Sequence, residues 1–250
     1  MTDVFGGRWS LIGKLSSMSL PFFYLDQLNA PSVVLDEDTS KHVVQVLRMK
    51  KGEELLLTDG KGTRARAVVS DDNRKRCEVT VISTEKEEER KHRVTIAISL
   101  LKNASRFEWF LEKATEIGVS GIIPLMCERT EKERFRHDRM KSILVSAMLQ
   151  SQQSFLPELH HPTEFSKLAE QDGYQNKFIA HCLPGQKPSL PSLQKNASTS
   201  IILIGPEGDF TSNEIQQALS KDYLPVSLGS TRLRTETAGI VAAVLLVSGL

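Results

Sequence analysis

The feature of this sequence that most constrains its fold begins at residue 94, where near-continuous apolar runs alternate with amphipathic segments to the end of the chain. Residues 94–101 (VTIAISLL) and 201–204 (IILI) are short and lack polar alternation, as expected of strands buried on both faces. Amphipathic stretches at 105–117, 138–152, 164–171 and 212–219 predict helices, and 122–125, 177–182 and 225–228 predict further strands. Gly118 closes the first helix as its C-cap, and a last helix begins near Thr237. Such alternation predicts an α/β domain around a mostly parallel sheet.

The chain ahead of it reads differently. Short strand-like runs at 22–25, 54–58, 65–70 and 78–82, with a turn at Asp59-Gly60, predict a small β-barrel. One helix, 41–49, interrupts them, with Thr39 as its cap. The run 85–93 (EKEEERKHR) is a charged linker, and residues 1–17 are a flexible extension ahead of Met18, which is an alternative start. The expected units are therefore 1–17, 18–84, 85–93 and 94–250.

Charge separates the two units. The whole chain carries a net +1, yet residues 41–76 hold ten Lys and Arg against five Asp and Glu. A basic module on an acidic body suits a polyanion binder, because phosphates need cations gathered in one region; a solvated surface is the plainer alternative. Three scattered cysteines without CxxC spacing encode neither a disulfide framework nor a zinc site, and His160-His161 lacks a third ligand at metal spacing. No metal is expected. The apolar run 238–250 falls short of the roughly 20 residues of a membrane span, so it predicts a buried or interface helix and a cytoplasmic protein.

Two motifs carry chemistry. Strand 201–204 leads into Gly205-Pro206-Glu207-Gly208-Asp209-Phe210, a glycine-rich turn where open α/β sheets take ligands, and Thr211 with Glu214 forms a capping box behind it. The turn is neither GxGxxG nor a P-loop, which disfavours dinucleotides and nucleoside triphosphates. The second motif, LGSTRLRTETA at 228–238, crowds Arg232, Arg234 and Glu236 at the start of an apolar helix, where Thr235 or Thr237 is expected to cap and anions are favoured.

Together these motifs resemble the RsmE family of ribosomal RNA methyltransferases, in the SPOUT superfamily. HVVQVLR at 42–48, Asp59-Gly60, KATEIGV at 113–119 and the Gln150-Ser151…Pro157-Glu158 segment match in family order, over about residues 20–250. The resemblance implies an α/β protein with an N-terminal PUA-like β-barrel and a C-terminal SPOUT-type α/β domain with a trefoil knot. It also implies a homodimer, S-adenosylmethionine as donor, and N3 of a uridine in 16S ribosomal RNA of the small subunit as acceptor. Carried over by position, the donor-binding residues are Leu183, Pro184, Gly185, Ile204, Gly205, Pro206, Glu207, Gly208, Leu228, Gly229, Ser230, Arg232 and Leu233. Two departures stand out: Asp209 occupies the motif's usual second glycine, and Leu149 the usual glutamate.

The expected roles follow. Arg234 stabilises charge developing on the uracil, and Glu236 or Glu207 accepts its proton. Arg48, Lys50, Arg64 and Arg66 hold RNA. The rivals are a SPOUT enzyme acting on another ribosomal or transfer RNA nucleotide, and a non-catalytic RNA-binding adaptor.

Overall fold

The computed structural model describes residues 20–28, 30–131, 134–193 and 197–249. The expected extension 1–17 and the alternative start at Met18 lie outside the described residues.

The N-terminal unit is a five-stranded sheet built from β1 (Phe22–Tyr24), β2 (Ser32–Val34), β3 (Glu54–Thr58), β4 (Thr63–Asp71) and β5 (Glu78–Lys86), in the order β1-β3-β4-β5-β2. Alternate residues Leu55 and Leu57, Ala65, Ala67 and Val69, and Cys77 and Val79 are buried together with Leu35 and Val43. That period of two gives the sheet one apolar face. Register shifts at Arg66/Ala67 and Val69/Asp71 bend β4 and curl the sheet around this core.

The helix of this unit departs from expectation. It starts earlier, as α1 (Glu37–Lys41), and continues as a π-helical turn, His42–Val46. Asp36 is the cap rather than Thr39, because its carboxylate accepts the Thr39 N–H at 2.9 Å and the Thr39 hydroxyl at 2.7 Å. Thr39 is thus capped, not capping.

The charged stretch is also shorter as a connection than expected. Strand β5 runs to Lys86 and the next strand opens at Arg93, leaving 87–92 between them. The units are joined elsewhere too. Gly62 N–H donates to Ser154 O at 2.9 Å and Leu156 N–H to Gly60 O at 2.8 Å.

The second unit comprises β6 (Arg93–Ser99), α2 (Ala104–Ile117), β7 (Gly121–Met126), α3 (His137–Gln150), β8 (Glu158–Leu159), β9 (Thr163–Glu164), α4 (Phe165–Ala169), β10 (Asn176–Ala180), α5 (Leu190–Leu193), β11 (Thr199–Ile204), α6 (Ser212–Ser220), β12 (Leu224–Val226) and α7 (Thr235–Ser248). Its strands run β12-β10-β11-β6-β7-β8, with β9 also on β7, and every pairing is parallel. Both faces are covered. Ile96 and Ile98 of β6 face a core with Phe107, Phe110, Leu144 and Leu246, while Ala97 faces Phe165, Phe210 and Ile215.

Helix α7 lies close to the sheet. A Cβ on Gly239 would sit 2.7 Å from the Phe110 ring and 2.9 Å from Ile98 Cδ1, so only glycine fits there. Gly118 caps α2 in the left-handed conformation, as expected. Trp109 is 44% exposed on α2. Among the described residues no helix is long and apolar enough to cross a membrane.

Candidate functional site

The carboxyl ends of β10, β11 and β12 lie side by side because the three strands are neighbours and parallel. The loops that leave them, 181–187, 205–211 and 227–234, surround two adjoining cavities of about 620 Å³ and about 290 Å³. Ala180, Cys182, Arg232, Leu233 and Ala238 line both, making one crevice in two lobes. This is where a parallel sheet presents loops rather than strands to a ligand.

Each loop is braced locally. In the 205–211 turn, the Asp209 N–H donates to Pro206 O at 2.9 Å, and a Cβ on Gly205 would crowd the Phe210 ring at 3.1 Å. The expected capping box is formed: the Thr211 N–H donates to Glu214 Oε2 at 2.8 Å, and the Glu214 N–H to Thr211 Oγ1 at 3.3 Å. The other Glu214 oxygen accepts the Glu128 N–H at 2.8 Å, and Arg129 Nη1 donates to Gly208 O at 2.6 Å. The loop after β7 therefore holds the turn from outside. Lys187 Nζ donates to Leu183 O at 2.5 Å, tightening the 181–187 loop.

Most of the expected donor residues meet at this crevice. Gly185, Leu228, Gly229 and Ser230 line the larger lobe, Ile204, Gly205, Pro206 and Glu207 the smaller, and Arg232 and Leu233 both. Leu183, Pro184 and Gly208 belong to the same loops without lining either lobe. Arg234 lines the smaller lobe from an exposed position.

Glu236 faces elsewhere. It is only 7% exposed, with one oxygen 3.7 Å from Arg106 Nε on α2 and the other buried without a partner. The helix start also differs from expectation: α7 opens at Thr235, and Arg234 is its N-cap residue without a side-chain capping bond. Neither threonine caps. Thr235 and Thr237 both lie inside the helix, past the position from which a side chain caps.

The four expected RNA-binding residues split. Arg66 pairs with Glu54, Arg64 with Glu87 at 3.3 Å, and Lys50 with Asp72 at 3.6 Å. Arg48 makes no ion pair among the described residues and sits at φ +56°, turned out of the helix.

One site residue went unread in the sequence. His181 lines the larger lobe, and its Nδ1 is buried without a hydrogen-bond partner. Burial pushes its imidazole pKa below the ordinary 6.5, the Lys187 cation adds to the shift, and the Asp209 carboxylate opposes it. Residues 177–182 read as one strand, which hid His181 as a strand residue; β10 ends at Ala180 and leaves it in the loop.

A small curled β unit docked on a parallel α/β domain, with a two-lobed crevice at the strands' carboxyl ends, defines a two-module α/β enzyme. The chain belongs to the RNA methyltransferase family, whose RNA methyltransferase domain model matches residues 87–247, while an RNA methyltransferase PUA domain model matches residues 35–82. It is similar to the ribosomal RNA small subunit methyltransferase E of Synechocystis sp., 32% identical over 223 residues that cover 87% of this chain and 73% of that one. A crystal structure of a probable rRNA-methyltransferase from Porphyromonas gingivalis superposes with a TM-score of 0.83 at 37% identity, covering 90% of this chain and 95% of that one. Another, a ribosomal RNA small subunit methyltransferase E from Neisseria gonorrhoeae bound to S-adenosyl methionine, gives 0.80 at 26% identity over 90% and 95% of the two chains. Among the described residues no cluster of three or more His, Cys, Asp or Glu could hold a metal.

Proposed function

We propose that this enzyme transfers the methyl group of S-adenosylmethionine to N3 of one uridine in the 16S ribosomal RNA of the small subunit. One observation carries the reading: three loops at the ends of β10, β11 and β12 offer main-chain groups around a crevice edged by Arg234. The activity for which the Synechocystis relative is named and the donor bound to the Neisseria protein support it. The residues fit such a donor. Lobes of about 620 and 290 Å³ suit a bent nucleoside with an amino-acid tail, and the unpartnered Nδ1 of His181 offers a hydrogen bond in the larger one.

S-adenosylmethionine, when bound, supplies a methyl group on a sulfonium, whose in-line displacement needs no metal. The loops align that methyl with the acceptor, and alignment of this kind is worth roughly 7–11 kcal/mol. As N3 gives up its proton, negative charge spreads to the uracil carbonyl oxygens, and that charge is consumed as the N3–C bond forms and the C–S bond breaks. The Arg234 guanidinium stabilises that charge from the rim of the smaller lobe. Glu207, on the wall of the same lobe, accepts the proton.

We divide the chain into an extension (1–17), an RNA-binding PUA-like barrel (18–86), a connection (87–92) and the catalytic domain (93–250), whose donor loops are tied in a trefoil knot. Arg48 is the leading RNA contact, with Lys50, Arg64 and Arg66 giving up their internal partners to phosphates. A homodimer is supported by apolar side chains left open on two neighbouring helices, Val244 of α7 at 39% exposed and Trp109 of α2 at 44%, and a ribosomal RNA acceptor favours the cytoplasm.

The test is to incubate the protein with S-adenosylmethionine and small subunits from a strain lacking this activity, then map the methylated nucleotide by mass spectrometry. A single methyl on uridine N3 of 16S RNA is expected. Methylation of a ribose or of transfer RNA would replace the acceptor assignment, and absence of donor binding in calorimetry would reduce the chain to an RNA-binding adaptor.

A further inference from the structure

Asp209 stands out among the residues of the crevice. Its backbone lies in the left-handed region at φ +63°, where most side chains are strained and aspartate is among the better tolerated. One carboxylate oxygen accepts the N–H of Phe210 at 2.8 Å, next along its own turn. The other accepts the N–H of Cys182 at 2.8 Å, in the loop that leaves β10. The side chain therefore bridges the 205–211 turn and the 181–187 loop, and it lines the smaller lobe while doing so. Both walls are otherwise held separately: the turn by Arg129 and the loop by Lys187.

We propose that Asp209 is a positioning residue, a latch that holds the two donor-binding loops at their working separation before the donor arrives. A bond to a charged acceptor is about twice as strong as a neutral one, and here it spans two loops rather than two strands of a sheet. Without it, the donor must order both loops as it binds, and that ordering cost appears as lost affinity. Both carboxylate oxygens hold N–H groups, one in each loop, so Asp209 acts through the loops. The proposal rests on the donor reading above.

The test compares the unaltered protein with Asp209→Gly and Asp209→Asn. Glycine accepts φ +63° freely, so Asp209→Gly removes the latch without straining the turn, and an unchanged melting temperature will verify that. Two measurements follow: calorimetric affinity for S-adenosylmethionine and for its neutral demethylated product, and hydrogen exchange of the Cys182 amide in the ligand-free protein. The expected result for Asp209→Gly is about tenfold weaker binding of both ligands alike and faster exchange at Cys182. The donor KM should rise by a similar factor while kcat at saturating donor stays within twofold. Asp209→Asn keeps a single acceptor oxygen, so it should fall between. Unchanged affinity and exchange would overturn the latch. Loss confined to the sulfonium ligand would also overturn it, replacing it with a direct charge contact. If the unaltered protein binds neither ligand, the donor reading itself has failed, whatever the variants do.

Discussion

The contact between α7 and the sheet allows a stability prediction to be worked from the structure. Replacing Gly239 with alanine puts a methyl 2.7 Å from Phe110 Cε2, 2.9 Å from Ile98 Cδ1 and 3.0 Å from Phe110 Cδ2. Phe110 and Ile98 are fully buried, so neither can swing away, and something must move by several tenths of an ångström. Overpacking of a tight core costs about 1–3 kcal/mol, and contacts this short belong at the upper end. Against it stands the helix preference of alanine over glycine, about 0.8–1 kcal/mol. The net expectation is about 2 kcal/mol of destabilisation, a fall of about 4–8 °C in melting temperature for a chain of this size. Reversible urea unfolding followed by circular dichroism measures it. The double variant Gly239→Ala/Phe110→Leu should recover about 1 kcal/mol of the loss, since the smaller side chain yields the space. If Gly239→Ala is as stable as the unaltered protein, helix propensity outweighs packing here and the close approach of α7 to β6 is wrong.

Arg234→Ala should lower kcat by about 10²-fold while leaving calorimetric donor affinity within twofold, because the guanidinium acts on charge that develops on the uracil as N3 loses its proton and not on the donor; normal turnover would remove it from the mechanism. Of the three thiols, Cys182 alone should react rapidly with a disulfide reagent near neutral pH, and bound donor should protect it, because it is exposed on both lobes. Burial pushes the Cys77 thiol up to about 11 and raises Cys127 further, so fast reaction of either would contradict the packing. The imidazoles of His92 and His181 are both held below the ordinary 6.5, burial being the main cause in each. The unfolded chain therefore takes up these protons first as pH falls through 6.5, so stability measured by urea titration should decline from pH 7 towards pH 5. His181→Gln should make that decline shallower, and an unchanged slope would show that the ring is not desolvated.

What could be read from the sequence depended on whether a signal was local. The strand 201–204, the capping box of Thr211 and Glu214, and the glycine cap at Gly118 each depend on a few consecutive residues, and each is found as read. The 205–210 wall of the crevice was legible because a glycine-rich turn after an apolar run marks a strand's carboxyl end, whereas the two loops beside it were expected from the family resemblance alone. What escaped was decided by partners far along the chain. Arg64 and Arg66 read as free cations, yet Glu87 and Glu54 lie opposite them, and nothing in a charge count reveals that pairing. Glu236 read as a crevice carboxylate because it neighbours Arg234, but successive residues at a helix start point in different directions, and it turns towards Arg106. Asp209 read as a departure from a glycine. Its purpose emerges only when the N–H of Cys182, distant in sequence, is found within reach of its carboxylate. A left-handed backbone position is open to aspartate when its side chain has bonds to make, and at Asp209 those bonds join two walls of the same crevice.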